Sequence, residues 1–232
     1  ALVVVNGRIR REVLVVASRV DPYVGTGPAL REDVLQQRVR GRDVVATAQT
    51  GTGKTLAFAL PMVQALMQHK TLSASVHAII LSPTRELAMQ INETFKLVAA
   101  QTPIRTAVVV GGMDEQRQLK AIRGGAHVVI ATPGRLCDFL DRRLIKLGSV
   151  KTLVLDEADR MMDMGFIHDV RKIASLIPVQ RQTLFFSATM PEEVRQLARD
   201  VLGNPLRIQV DALTPATTVA HALYPVPQHL KT

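Results

Sequence analysis

The chain has 232 residues, 47% of them hydrophobic and 21% charged, which excludes a disordered polypeptide and allows one substantial core. The 29 basic against 20 acidic residues give a formal charge of +9, which suits a polyanionic partner but equally a merely soluble basic protein. A single cysteine, Cys137, excludes an internal disulfide and a cysteine-based zinc site, and it fits a reducing, cytoplasmic setting.

Residues 1–40 are the least readable. They hold the apolar patches Ala1–Val5 and Val13–Val16, interrupted by Arg8, Arg10 and Arg11, which is not a signal-peptide layout. No apolar run anywhere reaches the ~20 residues needed to span a bilayer, so no membrane partner is expected. From Asp43 onward a unit repeats: a short apolar run, a turn, then a helical stretch. The apolar runs are 43–48, 77–82, 105–110, 127–131, 152–156, 182–187 and 206–210, rich in Val, Ile and Leu, as strands covered on both faces are. Helices are predicted near 54–68, 85–100, 114–123, 134–142, 161–176 and 191–201. This alternation predicts an α/β fold with a mostly parallel sheet and helices on both faces, whose ligands sit beyond the carboxyl ends of the strands. The stretch 211–232, with Pro215, Pro225 and Pro227, reads as a linker.

Two motifs carry chemistry. The first, Ala48-Gln49-Thr50-Gly51-Thr52-Gly53-Lys54-Thr55, joins the first strand to the first helix. Its glycines let backbone N–H groups converge on phosphate oxygens, helped by the polarity of a helix N-terminus. Lys54 would reach the β- and γ-phosphates of ATP, and the Thr55 hydroxyl would ligate Mg²⁺. The strict pattern begins with Gly, and here Ala48 replaces it. A glycine-rich turn without a ligand is the competing reading. The second motif is Asp156-Glu157-Ala158-Asp159, after the apolar run Leu153-Val154-Leu155. Asp156 would hold Mg²⁺, through water, and Glu157 would orient or deprotonate the attacking water. An acidic helix start favoured by the helix dipole is the alternative.

These motifs identify the chain as resembling the DEAD-box RNA helicases. Asp156-Glu157-Ala158-Asp159 spells the family's motif, and the phosphate loop matches the family's version, Ala48 included. Pro83-Thr84-Arg85-Glu86-Leu87 is similar to motif Ia, Gly111-Gly112 to the GG turn, Thr132-Pro133-Gly134-Arg135 to motif Ib and Ser187-Ala188-Thr189 to motif III. The resemblance spans residues 41–210 and implies a RecA-like P-loop NTPase domain. It further implies that Pro83, Thr84, Arg85, Gly112, Thr132, Gly134 and Arg135 hold an RNA backbone without reading bases. Surface ion pairing is the alternative for Arg85 and Arg135. By resemblance Ser187 and Thr189 bond to the acidic motif and couple ATP state to RNA. N-capping is the alternative for both, and the two roles are compatible.

The sequence departs from the family upstream. The Q motif, an aromatic followed by Pro-Thr-Pro-Ile-Gln, would fall near Leu14 and on Gly27, Pro28, Ala29, Leu30 and Arg31, and an Arg cannot reproduce the donor and acceptor of a Gln amide. Three readings stay open: divergence, an alteration such as a shifted reading frame, or adenine contact from elsewhere, with Tyr23 a candidate. The abrupt change to closely matched sequence favours the second. The family's second RecA-like domain, a partner whose arginine fingers contribute about 10³–10⁵-fold in rate, is expected beyond Thr232. The chain is therefore expected to bind nucleotide, hydrolyse it poorly and not unwind a duplex. A docking module with a defunct ATP site and a DNA helicase with a related core are the rival readings.

Overall fold

The computed structural model describes residues 41–47, 54–68 and 72–209. Residues 1–40, Ala48 to Gly53 of the phosphate loop and 210–232 fall outside these, and with them the segment aligned to the Q motif, Tyr23 and the linker.

All seven apolar runs form strands, each shorter or equal in extent: β1 (Val44–Thr47), β2 (Ala78–Leu81), β3 (Thr106–Val109), β4 (Val128–Ala131), β5 (Thr152–Leu155), β6 (Gln182–Ser187) and β7 (Leu206–Gln209). They make one sheet in the order β3-β4-β2-β5-β6-β1-β7, and each adjacent pair is parallel. Parallel pairing sends all seven carboxyl ends to one edge. There β6 separates β1, which leads into the phosphate loop, from β5, which leads into Asp156.

The helices are α1 (Lys54–Met67), α2 (Arg85–Val98), α3 (Glu115–Arg123), α4 (Pro133–Asp141), α5 (Ala158–Asp163), α6 (Ile167–Leu176) and α7 (Glu192–Val201). Local chemistry sets several starts. Thr84 caps α2, its hydroxyl accepting from the Leu87 N–H at 3.2 Å, and Asp114 caps α3 by accepting from Arg117 at 3.0 Å. Pro133 opens α4 at a position where its missing N–H has no partner to lose.

The strands alternate their side chains between two cores. Ile79, Leu81, Val129 and Phe185 pack with Leu119, Leu136, Phe139, Met161, Ile173 and Leu197, residues of α3 to α7. Ala78, Ile80, Ile130 and Phe186 pack with Phe58, Met62, Ile91 and Phe95 from α1 and α2. Helices therefore cover both faces.

One element differs from expectation. The helix read over 161–176 is two helices, and the first begins at Ala158. Gly165, at φ 79°, ends it. The Phe166 N–H donates to the Met161 carbonyl at 2.9 Å and the Gly165 N–H to Met162 at 2.8 Å, the paired bonds of a Schellman stop.

Candidate nucleotide site and nucleic-acid face

Lys54 is the first residue of α1, and its side chain is buried rather than solvated. Thr55 follows, partly buried. Asp156 continues β5, its N–H donating to the Leu81 carbonyl at 3.0 Å, and it is only 2% exposed. Lys54 and Asp156 lie close enough for the ammonium to act on the carboxylate. Burial pushes the Asp156 carboxyl up to about 6, Lys54 opposes this, and the neighbouring Glu157 adds to it. Lys54, at the start of α1, and Asp156, just past β5, thus stand at the same carboxyl edge of the sheet although they are distant along the chain.

Asp156 Oδ1 is buried with no hydrogen-bond partner. Leaving a buried carboxylate oxygen bare is costly unless something outside the polypeptide satisfies it. Among the described residues no group of three or more His, Cys, Asp or Glu gathers into a metal cage. The bare buried Oδ1 of Asp156, together with the hydroxyl of Thr55 at the start of α1, is a donor set of the kind that suits an ion such as Mg²⁺, which takes few protein ligands and keeps its waters.

Glu157 sits in the left-handed region at φ 56°, ψ 56°, an uncommon conformation for a non-glycine residue. This turns the chain sharply from β5 into α5. Its carboxylate is mostly buried and accepts from Arg160 Nη1 at 3.4 Å.

The end of β6 bonds directly to this turn. Ser187 Oγ accepts from the Asp159 N–H at 3.2 Å and donates to the Thr189 carbonyl at 2.7 Å. Asp159 Oδ2 accepts from the Ala188 and Thr189 N–H groups at 3.2 and 2.8 Å and from the Thr189 hydroxyl at 2.9 Å. Burial works against this carboxylate, but the hydrogen bonds from Thr189, with those of Ser187 and the Arg160 N–H, together outweigh it and hold Asp159 below the usual range. Neither Ser187 nor Thr189 caps α7, whose N-cap is Pro191. Sequence reasoning left Asp159 without a role. Its place at the end of the acidic motif was the available signal.

Three further turns leave the same edge, after β2, β3 and β4. Pro83 is buried, Thr84 is occupied as a cap, and Arg85 extends outward, its side chain 53% exposed and 3.9 Å from Glu86. The Arg85 guanidinium lies against Gly112, which has φ 72°. The turn after β3 needs glycine for its backbone, and a Cβ there would fall 2.4 Å from Nη1 and push the flexible guanidinium aside. Thr132, at the N-cap of α4, makes no side-chain cap bond, and Gly134 is partly exposed in the first turn. Arg135 differs from Arg85: its Nη1 donates to Glu115 at 3.1 Å and to Asp138 at 3.4 Å. Glu115, Asp138 and Arg142, which complete that cluster, gave no signal in the sequence beyond the helical spacing of Asp138 and Arg142.

A family model described as DEAD/DEAH box helicase matches residues 29–197. The ATP-dependent RNA helicase CshA of Listeria monocytogenes is 42% identical over 183 residues, covering 79% of this chain and 35% of that protein. The DEAD-box ATP-dependent RNA helicase CshA of Streptococcus pneumoniae is 38% identical over 202 residues, covering 87% of this chain and 38% of that one. The crystal structure of a DEAD box protein from Methanococcus jannaschii aligns with a TM-score of 0.72 at 36% identity, covering 78% of this chain and 48% of that one. A hypothetical ATP-dependent RNA helicase from Sulfolobus tokodaii aligns with a TM-score of 0.75 at 30% identity, over 87% of this chain and 57% of that one. The chain spans little more than a third of the length of the curated relatives it matches.

Proposed function

Because the chain belongs to the DEAD/DEAH box helicase family, we propose that it is the N-terminal RecA-like, nucleotide-binding unit of an ATP-dependent RNA-remodelling motor. The observation that carries the reading is buried Asp156 beyond β5, its Oδ1 without a hydrogen-bond partner, with buried Lys54 at the same sheet edge and its charge acting on that carboxylate. A buried cation at the same sheet edge as a carboxylate with one bare oxygen suits the charge pattern of a magnesium–triphosphate.

On this reading Ala48, Gln49, Thr50, Gly51, Thr52 and Gly53 wrap the phosphates with backbone N–H groups, and Lys54 neutralises the β- and γ-phosphates. Thr55 and Asp156 would hold Mg²⁺, which when bound neutralises charge on the phosphate oxygens. Glu157, fixed by its left-handed backbone and by Arg160, orients the attacking water and receives its proton. Asp159, Ser187 and Thr189 tie the acidic turn to the end of β6, so a displacement at the γ-phosphate is felt there. Pro83, Thr84, Arg85, Gly112, Thr132 and Gly134, with Arg135 beside them, form the face that carries an RNA backbone, with sequence-independent contacts. A second RecA-like domain of the intact protein would close over both ligands and supply arginines to the γ-phosphate. The present chain by itself is then a nucleotide binder and a slow ATPase.

The test is nucleotide affinity with and without Mg²⁺, followed by a fluorescent ATP analogue. Lys54→Ala should weaken binding by roughly tenfold or more, the size of one charge-assisted contact. Equal affinity of wild type and variant would remove the phosphate-loop assignment. Binding indifferent to Mg²⁺ would shift the reading to a docking module with a defunct site.

A further inference from the structure

The turns after β3 and β4 are joined by a four-membered ion cluster that the nucleotide chemistry does not use. Glu115, the first residue of α3, accepts from Arg142 at both carboxylate oxygens, at 2.6 and 2.8 Å, and from Arg135 at 3.1 Å. Asp138 on α4 accepts from Arg142 at 3.2 Å and from Arg135 at 3.4 Å. The Arg135 guanidinium also lies 5.7 Å from the centre of the buried Phe139 ring. Two carboxylates balance two guanidiniums, so the cluster presents no surplus positive charge. For Arg135 to grip a phosphate it would have to leave both carboxylates while the incoming anion approached them. Arg85, more exposed and at 3.9 Å from its nearest carboxylate partner, is under no such constraint.

Resting on the RNA face proposed above, we infer that Glu115 and Arg135 are positioning residues: they form a strut that fixes the Gly112 turn against the Thr132–Gly134 turn, and Arg135 is not itself a phosphate ligand. Glu115 follows the Gly112 turn by three residues and Arg135 follows Gly134 directly, so their bond sets the spacing of the two backbone segments. Arg142 reaches back from the C-terminal end of α4 and closes the bidentate pair that holds the Glu115 carboxylate in place.

The test is binding of a fluorescein-labelled single-stranded oligouridylate to the full 232-residue chain across a range of salt concentrations. The variants are Glu115→Gln, Arg135→Gln, their combination, Arg142→Gln as a second way to open the cluster, and Arg85→Gln as control. If the strut is real, Glu115→Gln, Arg135→Gln and Arg142→Gln each weaken binding by roughly threefold to tenfold, and the double variant is no weaker than the poorer single one, as for coupled residues. The slope of log affinity against log salt stays at the wild-type value. A phosphate ligand behaves otherwise. Arg135→Gln would then lower the slope by about 0.7, one phosphate contact on a single strand, and Glu115→Gln would tighten binding by freeing the arginine. Either of those results overturns the inference, and so does an unchanged affinity in all three single variants. Arg85→Gln should lower the slope by about 0.7 whatever the strut does. Should that control fail, the RNA face is misassigned and the strut falls with it.

Discussion

At the scale of single residues the site is organised around groups that are costly for folding. Asp156 keeps a buried oxygen without a partner, and Glu157 holds a left-handed backbone. Neither helps the polypeptide by itself, and both make sense if a ligand offsets them. Asp156→Asn should therefore raise the stability of the nucleotide-free chain by about 1–3 kcal/mol, because a buried neutral amide is cheaper than a buried unsatisfied carboxylate. The same variant should lose Mg²⁺-dependent nucleotide binding. Thermal melts without nucleotide check the first claim, and an unchanged or lower melting temperature would contradict it. Gly112 is a different case. A methyl group there meets both an unfavourable backbone, worth about 1–2 kcal/mol, and the Arg85 guanidinium. Gly112→Ala should weaken RNA binding as much as Arg85→Gln does, and combining the two should add little, because both act by displacing one cation. Additive losses would show that Gly112 serves RNA directly.

At the scale of elements, the legible parts were those whose period is unambiguous. β2 and β4 are unbroken Val, Ile, Leu and Ala runs buried throughout, and β5 adds only a Thr; such runs announce a covered parallel sheet. The helix over 161–176 was misread because Met161, Met162, Phe166, Ile167 and Val170 sustain an apolar period across the break. A lone glycine inside that pattern looks tolerable. Only the left-handed φ of Gly165 and its paired bonds reveal the stop. Gly165→Ala should cost about 1 kcal/mol in chemical denaturation, with nucleotide affinity unchanged. The amino ends of the strands carry a separate, acid-sensitive contact. His127 Nδ1 accepts the Arg105 N–H at 3.0 Å, which requires the neutral ring. Burial holds its pKa below the ordinary histidine range, and the charges of Arg105 and His77 add to this. The unfolded chain thus binds a proton that the folded one refuses. The contribution is fully present above the ordinary histidine pKa of about 6.5 and is lost as pH falls through the folded value. His127→Asn keeps an acceptor without the titration, so its melting temperature should fall less than that of the wild type between pH 7 and pH 5.

At the scale of the whole molecule, the sequence named the motifs but not the contacts that bring them together. Spacing revealed Lys54 and Asp156 separately, while their place at one sheet edge depends on strand order, which no local pattern encodes. The ion cluster of Glu115 and Arg142 was hidden for the same reason. Asp43 shows how the order is secured. Its Oδ1 accepts the Thr183 N–H at 2.7 Å, 140 residues away, and its Oδ2 accepts the Gly203 N–H at 2.8 Å, 160 residues away. Gln182 Nε2 donates to the Arg42 carbonyl at 2.6 Å, and the Leu206 N–H donates to the Asp43 carbonyl at 2.9 Å. One carboxylate therefore clips β1 to β6 and to the approach of β7, just where β1 begins its run toward the phosphate loop. Asp43→Ala removes two charge-assisted bonds and should cost about 2–4 kcal/mol. Asp43 lies at the amino end of β1, a strand's length from the loop, so it touches no ligand. Nucleotide affinity measured well below the melting temperature should match wild type, while the melting temperature drops. If affinity fell in the fully folded variant, the lost clip would be acting through the position of β1, and the sheet's edge would be part of the nucleotide site rather than its support.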